Sequence, residues 1–300
     1  MALGLVAVGV RRLFAEAGSQ PQPGMRSYRV DATILLFSIP IFTRAGVGRG
    51  YAHYAASGQP DRTLHKMEFA AGSLPERAHG LNRLGMIRET SAETGSGLLE
   101  ARYFGFMTAS REESLGEARK ALNRSAGQCL FLAIEGQSQA GEARSRRASF
   151  YADARVGWGA YGRLQREAEA AIRNPAEGAG ETSLRPESPG GVLPTFLFAL
   201  WRAIHSPQAE LRQTYVYSGN LYTLETSKKP DRRTGRRPED KGLTTRPQSV
   251  TAISGTIHNL RTKEKTQFRI WTEEGGGPVP LRIEYQPRGF LRLALEAEGR

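Results

Sequence analysis

Residues 272–298 read TEEGGGPVPLRIEYQPRGFLRLALEAE, two runs of alternating apolar and polar side chains separated by Gln286-Pro287-Arg288-Gly289. In the first run Leu281, Ile283 and Tyr285 share one side while Arg282 and Glu284 share the other. In the second, Leu291, Leu293 and Leu295 oppose Arg292 and Glu296. A period of two describes a strand with one face on a core and one in water, so this ending reads as antiparallel sheet. It is scaffold first.

The same pattern recurs upstream. QTYVYSGNLYTLET (213–226) alternates about Gly219-Asn220, a favoured two-residue hairpin turn, and further strands are expected near 247–258 and 265–273. GMIRETSAE (85–93), GLLEARYFGFMTAS (97–110), CLFLAIEG (129–136) and RRASFYA (146–152) read likewise, the first two as a hairpin about Gly95 and Gly97. SYRVDATILLFSIPIF (27–42) alternates at first and then turns apolar on both sides. It reads as two strands bent at Pro40, which cannot donate to a ladder and so belongs at an edge or bulge. Beyond it Gly46, Gly48 and Gly50 leave three side chains missing from one strand face, a place for close packing.

Four helices are expected among these strands. Ser73 and Pro75 open a short one, and Ser110 with Glu113 form a capping box ahead of REESLGEARKALNRS, whose Leu115, Ala118 and Leu122 fall on one stripe. WGAYGRLQREAEAAIR (158–173) is the third. VLPTFLFALWRAIH (192–205) has almost no polar face before Arg202 and is too short to span a bilayer, which predicts a buried helix. Phe196, Phe198, Leu200 and Trp201 would then fill the concave side of a sheet or line an apolar cavity there; with Tyr215 on the neighbouring strand, Phe196, Phe198 and Trp201 are the candidate ligand-binding residues. The expected fold is mainly β with a few helices: a large curved antiparallel sheet or open barrel, with the apolar helix packed on its concave face.

The 300 residues, 39% hydrophobic, suffice for a real core, and residues 25–300 read as a single β-rich domain. It is interrupted by a Gly/Pro/Ser/Glu-rich loop at 174–191 and a mixed-charge loop at 228–246. Residues 1–24 hold a short apolar run followed by Ala15-Glu16-Ala17, a small-residue pattern like a secretory cleavage site, though without the usual basic start. They read as a truncated signal peptide and leader, and no run elsewhere is apolar enough for a membrane span.

Net charge is +12, which favours anionic partners without choosing among them. Neither a recognition helix nor an aromatic RNA-binding signature accompanies the arginines, so no nucleic-acid partner is expected. The single cysteine, Cys129, excludes an internal disulfide and any multi-cysteine metal site, and its apolar surroundings suit a buried residue better than a nucleophile. The five histidines lack i, i+4 pairing, and no zincin, Walker, nucleophile-elbow or C-x-x-C pattern occurs. No catalytic residue, metal or cofactor is therefore assigned. Glu68, Glu100, Glu135 and Glu284 lie in strands and are the carboxylates that a hydrolase reading would have to use.

YRVDATILLFSIPIF with AGVGRGYA, then LPTFLFALWRAI with YVYSGNLYTLE, then FRIWTEEGGGPVPLRIEYQPRGFLRLALEAE together resemble the bacterial exported proteins of domain-of-unknown-function family three-one-zero-eight. The closing match rests on Trp271, Pro280, Leu281, Arg282 and Ile283, with Leu291, Leu293 and Leu295 in the last strand, while 174–191 and 228–246 are longer than the family pattern. The resemblance implies a curved, largely antiparallel sheet and a periplasmic or envelope location, and it carries over no catalytic residue. The expected function is a non-enzymatic envelope protein that binds an apolar or amphipathic component, a lipid or glycan. The alternatives are a hydrolase acting on envelope glycan or lipid and, behind it, a nucleic-acid-binding protein.

Overall fold

The computed structural model describes residues 24–36, 39–78, 83–108, 128–153, 158–174, 180–184, 191–231, 250–273, 277, 279–288 and 290–298. The first arm of the sheet comprises β1 (Met25–Leu36), β2 (Ile39–Gly58), β3 (Thr63–Ser73), β4 (Leu84–Thr94), β5 (Gly97–Thr108), β6 (Gln128–Gln139), β7 (Glu142–Asp153) and β8 (Gly180–Leu184). The second comprises β9 (Glu210–Tyr217), β10 (Asn220–Pro230), β11 (Val250–Asn259), β12 (Lys265–Glu273), β13 (Arg282–Arg288) and β14 (Leu291–Ala297). Helix α1 (Tyr161–Arg173) follows a 3-10 turn at Trp158–Ala160, and α2 (Phe196–His205) precedes β9.

All fourteen strands form one sheet in the order β8-β7-β6-β5-β4-β3-β2-β1-β14-β13-β12-β11-β10-β9. Each arm is a meander, and the two are joined where β1 pairs with β14, Tyr28 opposite Ala297 and Ile34 opposite Leu291. The sheet's edges, β8 and β9, curl towards each other. Thr182 of β8 lies against the β9–β10 turn, where a Cβ on Gly219 would come within 2.9 Å of it. The Tyr103 hydroxyl of β5 accepts the Ser218 amide at 2.8 Å across the interior. Residues ahead of α2 run along the seam: Thr195 bridges Val216 of β9 in parallel, and the Leu193 amide donates to Ser138 of β6. The result is the expected open barrel, with α2 on the concave face.

Alternation sorts the side chains by face. Inward residues of β9 to β13 pack on α2, with Ala199 and Ala203 against Tyr215 and Leu224, and Ile204 against Ile253 and Ile270. Towards the opposite face of β2 to β7, α1 lays Tyr161, Leu164, Ala168 and Ile172 onto Tyr51, Met86, Phe106, Phe131 and Ala148. Cys129 is a half-buried member of that second core. On this face the hydroxyls of Tyr51 and Tyr161 both donate to Glu68, Tyr161 at 2.8 Å, and burial pushes both phenols well above their ordinary range.

The curvature explains the glycine row. A Cβ on Gly50 would lie 2.8 Å from the Ala70 carbonyl, and one on Gly48 would run into the Gly72 carbonyl, so only glycine lets β2 approach β3 at this bend.

Several boundaries differ from the sequence reading. β1 runs to Leu36 and β2 begins at Ile39, so Pro40 sits inside β2 opposite Leu35, beside a one-residue register shift and on an edge beyond the reach of β3. The tight turns are Ala140-Gly141 and Ser218-Gly219, both with positive φ at each position, so the stretch QSQAGEARS is mostly strand. The 174–191 loop contains β8, and Lys228–Pro230 belong to β10 because their ladder to β11 continues that far. After Ser73 the described residues 75–78 make a turn, and α2 begins at Phe196 since Pro194 and Thr195 ahead of it pair with Val216 of β9. Residues 1–23, the 110–125 helix and 232–249 lie outside the described residues.

Candidate functional site

Among the described residues, buried polar groups gather beside apolar walls in the barrel interior. Glu89, inward on β4, is 1% exposed and faces the first turn of α2. Its Oε2 accepts the Thr195 hydroxyl at 2.5 Å and the Phe198 amide at 3.0 Å. A carboxylate here meets the positive end of the helix and satisfies amides that have no partner within it. Burial nevertheless dominates and pushes the carboxyl up to about 7, against the pull of Thr195 and the amides of Phe196, Leu197 and Phe198. Glu89 Oε1 and, two residues along the same face, Ser91 Oγ have no hydrogen-bond partner among the described residues.

The other end of α2 is held by the opposite charge. Lys228 of β10 donates its Nζ to the carbonyl of Ile204 at 2.9 Å and to that of Ser206. Desolvation moves this ammonium below its ordinary range. An anion at the N-terminus and a cation at the C-terminus match the helix dipole at both ends.

Between these ends the aromatic rings form two groups. Trp201 stacks between Tyr54 and Phe198, at 5.9 and 5.5 Å, and leans on His65 at 4.6 Å. Phe196 packs at 5.5 Å on Tyr215, which stacks on Tyr222 at 5.2 Å. The four residues singled out from the sequence thus fall into two pairs on α2 and β9, Phe198 with Trp201 and Phe196 with Tyr215. Phe198 and Tyr215 are buried, and Phe196 and Trp201 are half-buried. Burial raises Tyr215 and Tyr217 well above the ordinary phenol range, so both stay neutral donors at any physiological pH.

His65 is 3% exposed and lies between Tyr54, whose hydroxyl is 3.0 Å from Nδ1, and Glu93, whose Oε1 is 2.9 Å from Nε2. This Glu-His-Tyr row is the nearest arrangement to an acid–base relay among the described residues. General acid–base work requires a substrate within hydrogen-bond reach, whereas the Phe198 and Trp201 rings cover His65. The carboxylates that a hydrolase reading would use do not converge. Glu68 binds Tyr51 and Tyr161, Glu100 pairs with Arg102, Glu135 is exposed on β6, and Glu284 pairs with Arg282 at 2.5 Å.

Two surface features complete the inventory. An open groove of about 980 Å³ crosses β9 to β14, walled by Glu210, Arg212, Glu225, Arg269, Glu284 and Arg292, three of each sign. At the rim, Ile34, Leu36, Ile39, Ile41, Phe42 and Phe290 are 36 to 64% exposed, crowded on the β1–β2 tip and the adjoining β13–β14 turn. An apolar row leads inward from there, since Ile34 opposes Leu291, Ala32 opposes Leu293, and Val30 opposes Leu295, with Tyr285 and Ile283 alongside on β13. Exposure falls from rim to core along this row, and Ile283 at its inner end packs with Leu200, Ile204 and Ile270. Among the described residues no group of three or more His, Cys, Asp or Glu could hold a metal, and no helix is long and apolar enough to cross a membrane.

Glu89 and Lys228 escaped the sequence reading. GMIRETSAE alternates without showing which parity is inward, since Met86 and Ala92 sit on one and Ile87 on the other. SKKP looked like the start of a charged loop.

No family model matches the chain, and no curated protein matches it. Among solved structures it is similar to the crystal structure of a β-barrel-like protein of domain of unknown function DUF1849 from Brucella abortus, with 9% identity and a TM-score of 0.45. The match covers 93% of this chain and 98% of that one.

Proposed function

We propose that this is a non-enzymatic protein of the bacterial cell envelope, of the kind grouped in domain-of-unknown-function family three-one-zero-eight, that binds an amphipathic envelope lipid through its open barrel. The observation that supports the reading is the apolar row from Ile34 and Leu291 at the rim to Val30, Leu295 and Ile283 in the core. Such a row gives an acyl chain a continuous path out of water, at about 0.8 kcal/mol per buried methylene. The path ends at Leu200 and Ile204 of α2, the helix that also carries Phe196, Phe198 and Trp201.

The test is binding of dansyl-undecanoic acid, followed by fluorescence, together with mass spectrometry of organic extracts from protein purified without detergent. Wild type should bind the probe and carry lipid. Leu293→Gln, at a half-buried step of the row, should weaken probe binding about tenfold. Absence of both lipid and probe binding in folded wild type would sink the reading.

A further inference from the structure

The β1–β2 hairpin outruns the sheet. Beyond Gly48, which faces Ser73, β3 supplies no further partners apart from the Leu74 amide donating to Val47, so residues 39–46 of β2 present an edge that no described strand covers. Soluble sheets protect such edges with charge, or by keeping them short. Here the edge ends in Ile39, Pro40, Ile41 and Phe42, all exposed. Cross-strand pairing sets Ile34 beside Phe42 and Leu36 beside Ile39 on one face. Phe290 joins them because its carbonyl accepts the Leu35 amide at 2.8 Å, which fixes the β13–β14 turn against the finger. Six of the nine large apolar side chains exposed among the described residues therefore share this rim. A contiguous exposed apolar patch of this kind marks an interaction surface.

Charge identifies what covers it. Residues 33–44 and 286–293 contain Arg44, Arg288 and Arg292 and not one carboxylate, in a chain of net charge +12. Arg292 stands opposite Thr33 and Arg44 opposite Ala32, one step behind the apolar tip. A second copy would bring the same arginines and the same net charge against them. An anionic bilayer offers what this order of groups requires: headgroup phosphates for the arginines and, about 5–10 Å deeper, acyl chains for the tip. Pro40 supports the assignment, since it removes an amide that would otherwise enter that layer from the open edge.

We infer that the β1–β2 finger and the Phe290 turn dip into the surface of an anionic membrane leaflet, holding the mouth of the barrel against lipid. This membrane contact rests on the proposed envelope location, but not on whether the interior binds a lipid molecule.

The experiment is co-sedimentation of the full chain with sucrose-loaded vesicles of phosphatidylglycerol and phosphatidylcholine, and of phosphatidylcholine alone. Wild type should partition onto the anionic vesicles at least tenfold more strongly than onto neutral ones, with the preference fading as salt is raised. Ile39→Ser/Ile41→Ser/Phe42→Ser, all at exposed positions, should lower partition at least tenfold and keep wild-type circular dichroism and dansyl-undecanoic acid binding. Leu293→Gln should sediment like wild type, which separates this inference from the reading of the interior. Phe42→Trp should shift its emission to the blue with anionic vesicles and be quenched by brominated lipid. Equal sedimentation of wild type and the triple variant, or no binding by wild type, would overturn the inference. So would a wild-type dimer in light scattering that the triple variant dissolves, because the rim would then be an interface between copies.

Discussion

Replacing Glu89 by Gln removes a charge from the interior while keeping an oxygen that can accept the Thr195 hydroxyl and the Phe198 amide. Burial raises this carboxyl from 4.5 to about 7. Between those values the native protein holds a proton that the unfolded chain has released, so this contribution to stability is complete below about pH 4.5 and is lost as pH rises to about 7. At roughly 1.4 kcal/mol per pH unit, the loss amounts to about 3 kcal/mol. Glutamine does not titrate and should not show it. The variant's absolute stability carries an offset, because its Nε2 replaces an oxygen that has no partner and a buried unsatisfied donor costs about 1–3 kcal/mol. The diagnostic is therefore the slope: stability of Glu89→Gln minus that of wild type should rise by about 3 kcal/mol between pH 4 and pH 8. Urea unfolding followed by circular dichroism at half-unit pH steps measures it. Parallel curves for the two proteins would refute the claim that desolvation outweighs the helix amides at this carboxyl.

Phe198 is fully buried against Trp201 and His65, so Phe198→Ala should lower unfolding free energy by about 3–5 kcal/mol in the same assay. A loss below 1 kcal/mol would mean that α2 is not packed in the barrel. Gly50→Val places branched carbons where a Cβ already meets the Ala70 carbonyl at 2.8 Å and should cost about 1–3 kcal/mol, whereas Gly58→Val, in open space, should change stability by less than about 0.5 kcal/mol.

How much of this was legible beforehand depended on whether local pattern carried the information. β13 and β14 follow directly from the alternation about Gln286–Gly289, and α2 follows from an apolar run with no room for a wet face. Of the close packing predicted along Gly46, Gly48 and Gly50, readable because a missing Cβ is visible in the sequence itself, Gly48 and Gly50 show it, whereas Gly46 takes a positive φ and meets no backbone of β3. The turns at Ala140-Gly141 and Ser218-Gly219 were misplaced or missed, since Ala140 and Ser218 adopt positive φ that only the tertiary register imposes. β8 hid in a Gly/Pro-rich loop because a five-residue edge strand takes its identity from β7. Phe196, Phe198, Trp201 and Tyr215 were found by apolarity. Glu89 and Lys228 were not, because pairing a charge with a helix end more than twenty residues away is a fact of topology, invisible to any sequence window.

The junction of β1 with β14 governs when the molecule can exist at all. Tyr28 must wait for Ala297, so β1 emerges long before one of the two strands that flank it. Each meander can zip locally as it emerges, but neither arm becomes a barrel until β14 arrives and locks the two halves along their shared seam.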